Sequence, residues 1–396
     1  LDKYAGWYAV SDEAFYDEAK LKEGPDGSKI APTGKPVEWV EEESYFFRLS
    51  AYEDRLLELY ENQPDFILPK GRRNEVISFV KGGLQDLSIS RTTFDWGVPV
   101  PGNERHVMYV WLDALANYIT ALGYPDESAP DYAKFWPADV HFVGKDILRF
   151  HAIYWPAFLM AADLPLPKRI FAHGWWTNEG QKISKSLGNA IDPYDLINTY
   201  GLDQTRYFLL REVPFGNDGD FSASAMQTRM NSDLANAYGN LAQRVLSMIH
   251  KNCDGAMPTP NELTEADTKL LDASVQTLKT ASDHMELQAF HKALEAIWAL
   301  VSDANVYTDE QAPWTLKKTD PERMKTVLYV LANIIRRISL LAHAYMPDAT
   351  SKLLAQLGDG EGPYELAGFE SMIDPGIAIA KPQGVFPRYV EPVAEG

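Results

Sequence analysis

The sequence predicts an α/β protein in which a parallel sheet is followed by a helical bundle. Three observations predict it. From about residue 96 to 215, strand-like apolar runs alternate with helical patterns, as parallel sheets require. Beyond the turn Phe215-Gly216-Asn217-Asp218-Gly219-Asp220, apolar residues step by three or four with short links between helices. Ahead of both, Gly24, Pro25, Gly27, Pro32, Gly34 and Pro36 break the chain into short pieces.

In the first region, Tyr45-Phe46-Phe47-Leu49 and Leu56-Leu57-Leu59-Tyr60 recur at helical spacing, which predicts one clear helix among short strands. In the second, Val107-Met108-Tyr109-Val110, Val140-His141-Phe142-Val143 and Ile170-Phe171-Ala172-His173 read as strands. A helix from about Asp146 to Ala162 follows the middle one. Ligands of parallel sheets sit beyond the strands' carboxyl ends, so Gly144-Lys145-Asp146 and His173-Gly174 fall at a site. Asp192-Pro193 reads as a cap and first-turn proline. In the bundle, Met226, Met230, Leu234, Tyr238, Leu241 and Val245 form one helical stripe. Phe290, Leu294, Ile297 and Val301 form a second, and Leu328, Leu331, Ile335, Ile338 and Leu341 a third. The Gly/Pro-rich tail from about Gly358 reads as irregular chain.

The 396 residues suffice for two or three cores, and 45% hydrophobic with 23% charged residues is ordinary globular composition. No apolar run approaches the roughly 20 residues that span a bilayer. One cysteine, Cys253, excludes a disulfide framework and any multi-thiolate metal site built from this chain, and fits a reducing, cytoplasmic home. The net charge of −19 argues against a broad phosphate-driven grip on nucleic acid. An RNA partner would need a local basic or stacking patch. The chain opens Leu1-Asp2-Lys3-Tyr4 without an initiator methionine, which reads as a processed or truncated product.

Four constellations carry chemistry. Gly180-Gln181-Lys182-Ile183-Ser184-Lys185-Ser186-Leu187-Gly188-Asn189 makes a cationic loop, with lysine charges and serine hydroxyls suited to a triphosphate. An exposed polar turn is the alternative. Trp111, Ala114, Leu115 and Tyr118 share one helical face, and Ile147 and His151 form an i, i+4 pair on another. Taken alone, each face reads as core. Together they would wall an apolar pocket with aromatic sides and one polar group, suited to a thioether. Tyr8-Ala9-Val10-Ser11-Asp12-Glu13 lacks the cysteine pair of a zinc knuckle, with Ala9 and Asp12 at the candidate positions. Asn240 and Arg244 lie one turn apart. In Asp309-Glu310-Gln311-Ala312-Pro313-Trp314, Pro313 is expected to end a helix with Trp314 just beyond, either as core or as a stacking platform for an unpaired base.

The lysine loop resembles the KMSKS signature of class I aminoacyl-tRNA synthetases. With Trp111-Leu112-Asp113-Ala114, His141-Phe142-Val143-Gly144-Lys145-Asp146, His173-Gly174 and Asp309 to Trp314, in that order, the chain resembles the methionyl-tRNA synthetases from about residue 4 to Phe386-Pro387-Arg388. The resemblance implies a class I Rossmann-like catalytic fold, of which this chain holds the second half. It implies a zinc-free connective insertion over 1–95, the catalytic half with its lysine loop over 96–220, and a helical anticodon-binding domain with tail over 221–396. It implies methionine contacts at Trp111, Ala114, Leu115, Tyr118, Ile147, His151 and Arg91. ATP contacts would fall at Gly144, Asp146, His173, Gly174, Lys182, Ser184 and Lys185, with Lys182 and Lys185 stabilising the departing pyrophosphate. Asn240, Arg244 and Trp314 would read the CAU anticodon.

The implied reaction is ATP-dependent activation of L-methionine and its transfer to tRNA(Met). ATP would arrive with Mg²⁺, with no zinc, no membrane and a monomeric chain. The family's His-x-Gly-His signature is absent, so the chain alone is expected to be incomplete for catalysis. Two alternatives remain: a non-catalytic tRNA-binding fragment, or a leucine, isoleucine, valine or cysteine synthetase. The first three carry editing insertions longer than about 95 residues, and a cysteine enzyme would be expected to use thiolate-bound zinc.

Overall fold

A computed structural model describes residues 1–9, 14–16, 18–24, 27–183, 188–360 and 362–390. Contacts divide the chain into two compact units, Leu1–His173 and Gly174–Gly396. The boundaries expected at 95 and 220 fall within these units.

The first unit is built around a parallel sheet ordered His141–Gly144, Ile170–His173, Ile67–Leu68. The last of these strands comes from the region before residue 95. Among the described residues the unit also holds two three-stranded antiparallel sheets. Asp2–Ala9 pairs with Ala14–Tyr16 and Glu38–Ser44, and Asn103–Met108 pairs with Pro99–Val100 and Ser90–Arg91. The core beneath the parallel sheet joins Leu56, Tyr60, Phe66, Ile67, Val76, Val80, Val143, Ile153 and Ile170.

Several local expectations are corrected. Tyr45–Arg48 is not helical: Phe46–Phe47 forms a short strand against Leu87–Ser88, and Leu49 opens a 3₁₀ turn, Leu49–Tyr52. Among the described residues before 95 there are two α-helices, Glu53–Asn62 and Lys70–Lys81. The second opens with Lys70-Gly71-Arg72-Arg73, which shows no apolar period, and buries only Val76 and Val80. The strand read over Val107–Val110 runs from Asn103 to Met108, and Val110 already opens the helix Val110–Thr120. The helix expected from Asp146 to Ala162 is segmented into a 3₁₀ turn Lys145–Ile147, a π turn Phe150–Tyr154 and an α-helix Trp155–Ala161. Pro156 has no amide hydrogen to give the Ala152 carbonyl, and the turn before it widens so that Trp155 N–H reaches Phe150.

The second unit is mostly helical. Asp192 caps Pro193–Tyr200 by accepting from Tyr194 N–H at 2.8 Å, as expected from Asp192-Pro193. The predicted stripes lie on a helical path through Ala223–Thr228, the π segment Arg229–Gly239 and Asn240–Asn252, and on Phe290–Gln311 and Pro321–Ala342. Leu241, Val245, Leu294, Ile297, Val301, Leu328, Ile335 and Ile338 meet in one core. Beyond Gly358 the described tail is irregular apart from one 3₁₀ turn, Leu366–Gly368, and an antiparallel bridge from Ala378 to Ala256. Pro313 does not end a helix. The helix before it stops at Gln311, Ala312 turns left-handed at φ 43°, and Pro313 opens a new helix, Pro313–Thr319, with Trp314 in its first turn. Proline suits a first-turn position because its missing N–H has no partner there.

Candidate functional site

The helix Val110–Thr120 and the turns after His141–Gly144 bring the two predicted faces together within the first unit. Trp111 stacks on Phe150 with ring centroids 3.7 Å apart and planes 7° from parallel. Trp111 also meets His151 edge-on at 6.3 Å. Tyr118 Oη lies 2.9 Å from His151 Nε2, and His151 Nδ1 lies 3.0 Å from the Ile147 carbonyl. A carbonyl only accepts, so Nδ1 carries the hydrogen. Burial, partly opposed by the Ile147 hydrogen bond, pushes the His151 pKa down, which favours the neutral ring. Nε2 is then an acceptor and the Tyr118 hydroxyl donates to it. Leu115 is buried beneath this face while Ala114 is exposed.

Two residues of this cluster were not read from the sequence. Phe150 stands three residues after Ile147, a spacing that signals the same helical face. His141 was assigned only to a strand. It packs 4.2 Å from the Tyr118 ring and near Trp136, and its Nε2 is buried without a hydrogen-bond partner among the described residues. Burial, then the nearby His151, lowers its pKa to about 4.

Arg91, on the strand Ser90–Arg91, is held by its own set of partners. Its guanidinium is buried, donates to Ser88 Oγ at 2.7 Å and the Ser90 carbonyl at 2.8 Å, and lies 3.6 Å from Glu42. It also covers the Tyr109 ring at 4.7 Å.

Gly144, Asp146 and His173 gather at the carboxyl ends of the parallel strands. A Cβ on Gly144 would lie 2.5 Å from Asp146 Oδ1 and 3.8 Å from His173 Cε1, so only glycine lets the carboxylate close over the strand end. A cavity of about 370 Å³ opens beside Lys145, Asp146 and Phe150.

In the second unit, Gly174 permits a close backbone crossing. A Cβ there would fall 2.1 Å from the Asn217 carbonyl oxygen. Trp175 N–H donates to Asp218, and Gly219 N–H donates to the Trp175 carbonyl. The strand Trp176–Asn178 then pairs antiparallel with Gln181–Lys182 and parallel with Gly219–Phe221. Asp220 accepts from Gly180 N–H and the Thr177 hydroxyl, which fixes the turn that leads into the lysine loop. Lys182 Nζ stands 5.4 Å from the Trp175 ring. Asn189 spans the loop base, donating to the Lys182 carbonyl at 3.0 Å while its own carbonyl accepts from Asn178. Ser184 and Lys185 lie outside the described residues.

In the bundle, Arg244 and Trp314 come together, the guanidinium carbon 5.9 Å from the ring. Asp309 lies 3.8 Å from Arg244. Trp314 is 47% exposed, and a cavity of about 290 Å³ opens beside it between Arg244, Met248, Thr308 and Leu328. Asn240 is exposed one turn before Arg244. Among the described residues no group of three or more His, Cys, Asp or Glu side chains is arranged to hold a metal; Ala9 is buried and Asp12 lies outside the described residues. No described helix is long and apolar enough to cross a membrane.

A parallel sheet with glycines and a carboxylate at its strand ends, a lysine loop and a helical bundle define a class I aminoacyl-tRNA synthetase. The family model described as tRNA synthetases class I (M) matches residues 3–246, and the anticodon binding domain of methionyl tRNA ligase matches residues 257–393. The chain belongs to the methionyl-tRNA synthetase family. It is 59% identical to a methionine–tRNA ligase of Brucella melitensis, over 98% of this chain and 75% of that protein. It is 58% identical to one of Mesorhizobium japonicum, over 99% of this chain and 76% of that protein. The Mycobacterium tuberculosis methionyl-tRNA synthetase solved in complex with methionyl-adenylate superposes with a TM-score of 0.92. That match is at 53% identity and covers 98% of this chain and 77% of the other.

Proposed function

We infer that this chain activates L-methionine with ATP to methionyl-adenylate and pyrophosphate, then transfers the methionyl group to the terminal adenosine of tRNA(Met). The observation that carries the methionine reading is the aromatic cluster of Trp111, Phe150, Tyr118 and His151. The methionine side chain would lie against these rings, with Ala114, Leu115 and Ile147 as apolar wall. His151 has no hydrogen left to offer, because Nδ1 serves Ile147 and Nε2 accepts from Tyr118. A thioether needs no strong donor and packs well on aromatic edges. Arg91, locked to Glu42 and Ser88, would act at the edge of the amino-acid site by holding Tyr109 and the strand before the pocket helix.

Gly144, Asp146 and His173 would take the nucleoside of ATP, with Gly174 beside the adenine. ATP enters as its Mg²⁺ complex, the ion belonging to the substrate. Lys182, Ser184 and Lys185 would take the triphosphate. The methionine carboxylate attacks the α-phosphorus, the bond to the bridging oxygen breaks, and negative charge moves onto pyrophosphate. No side chain needs to attack covalently. Positioning and cationic stabilisation of the departing charge supply the catalysis. Asn240 and Arg244 would bond anticodon base edges, with Trp314 as stacking surface. The setting is the cytoplasm, with a monomeric, zinc-free chain.

The test is amino-acid-dependent ATP–pyrophosphate exchange by the full-length protein. Methionine should support exchange, and leucine, isoleucine, valine and cysteine should not. Exchange driven equally by one of the others would refute the assignment. Absence of exchange with retained tRNA(Met) binding would favour a non-catalytic tRNA-binding role.

A further inference from the structure

Between Gln311 and Arg323 the chain makes an excursion that carries Trp314. It leaves the helix Phe290–Gln311, turns at Ala312, forms Pro313–Thr319 and re-enters at Pro321. Ala312 holds φ 43° and ψ 61°, a left-handed conformation unfavourable for an L-residue. Such a conformation persists only where its surroundings over-determine it.

Ala312 N–H donates to the Thr308 carbonyl, and one guanidinium ties the residue before it. Arg323 Nη2 donates to Gln311 Oε1 at 2.6 Å, joining the two ends of the excursion. Arg323 is itself clamped on Asp267, Nη1 to Oδ2 at 2.5 Å and Nη2 to Oδ1 at 2.8 Å. Asp267 is fully buried. Its carboxylate also accepts from the Tyr307 hydroxyl and from Thr264 N–H, so four donors meet its two oxygens. Asp320 accepts from Arg323 N–H at 3.0 Å and caps the returning helix. The base of the excursion is therefore tied to a buried ion, and three residues beyond Gln311 a half-exposed indole stands beside Arg244.

We propose that Arg323, seated on Asp267, is a positioning residue for anticodon recognition: through Gln311 it closes the base of the excursion and fixes where Trp314 stands. The inference rests on the reading of Trp314 as an anticodon contact. Neither Gln311 nor Arg323 touches the base in this scheme. Their effect falls on tRNA affinity and leaves amino-acid activation alone.

The experiment compares Gln311→Leu, Gln311→Glu and Trp314→Ala in the full-length protein. It measures KM and kcat for charging of tRNA(Met), and methionine-dependent pyrophosphate exchange. Gln311→Leu should raise the tRNA KM about tenfold, the scale set by one charge-assisted hydrogen bond, with kcat and exchange unchanged. Gln311→Glu keeps an oxygen facing Arg323 and should restore the wild-type KM. A wild-type tRNA KM in Gln311→Leu, with a raised KM in Trp314→Ala, would overturn the positioning role and leave the anticodon reading standing. Unchanged charging in both would overturn the anticodon reading and this inference with it. Equal loss of exchange and charging in Gln311→Leu would mark a general structural role and also overturn the proposal, as would a Gln311→Glu variant no better than Gln311→Leu.

Discussion

The Tyr118 hydroxyl donates to His151 Nε2 across 2.9 Å, while His151 Nδ1 faces the Ile147 carbonyl at 3.0 Å. Both ring nitrogens of a neutral, buried histidine are thereby satisfied. The pair joins the two helical faces that the sequence separates by 33 residues.

Tyr118→Phe removes the donor to a buried acceptor. It should destabilise the first unit by ~1–3 kcal/mol, the usual cost of an orphaned buried polar group. His151 is then free to rotate, so the methionine KM should rise as well. Urea denaturation together with pyrophosphate exchange checks both effects. An unchanged midpoint would mean that the hydroxyl contributes nothing to the fold.

His141 gives a pH dependence. Its folded pKa of about 4 lies below the unfolded value near 6.5, because burial and then His151 disfavour its charged form. The unfolded chain binds the extra proton first, so stability is present above about pH 6.5 and is lost as pH falls towards 4. The shift corresponds to ~3 kcal/mol across that window. Denaturation midpoints at a series of pH values should fall through this range. His141→Phe should flatten the fall.

Lys185→Ala should slow methionyl-adenylate formation about a hundredfold or more while changing ATP affinity little, because charge reaches the pyrophosphate in the transition state. Rapid-quench kinetics of the first turnover separate the two quantities. Equal losses in rate and affinity would assign the lysine to ground-state binding.

Trp314→Ala should lower charging of tRNA(Met) about tenfold or more, the scale of one lost base stack, and leave pyrophosphate exchange intact. Equal damage to both steps would make the indole a structural residue. Wild-type charging of a tRNA with an altered anticodon would remove the anticodon role.

The long helices were legible because buried residues along Phe290–Gln311 repeat every three to four positions, and Leu328, Leu331, Ile335, Ile338 and Leu341 keep that spacing in Pro321–Ala342, a helix buried almost throughout from Thr326 on. The same holds for His141–Gly144 and Ile170–His173, whose apolar runs end at glycine and histidine. What escaped was set by partners far away in sequence. Lys70–Lys81 buries two valines against other elements, and its first turns, Lys70 to Glu75, are polar. Ile67–Leu68 is too short to be read and joins the parallel sheet only through Ile170 and Phe171. The widened turn at Phe150 follows from Pro156, whose position in the sequence predicts a disturbance and leaves its form open. Of the residues proposed for the methionine site, Trp111, Tyr118, Ile147 and His151 were placed on two helical faces by spacing. Phe150 and His141 were not, since their roles appear only when rings from separate elements meet. Pro313 was misread as a stop because the left-handed turn at Ala312 had already ended the helix.

The most direct measurement is the methionine dependence of pyrophosphate exchange in the full-length Trp111→Ala protein. Trp111 stacks on Phe150 and meets His151, so its loss should remove a wall of the pocket and raise the methionine KM about tenfold to a hundredfold, the range for losing a buried aromatic contact of 1–3 kcal/mol. The ATP KM should stay near wild type. A wild-type methionine KM in this variant would contradict the assignment of the Trp111–Tyr118 and Ile147–His151 faces as the methionine site.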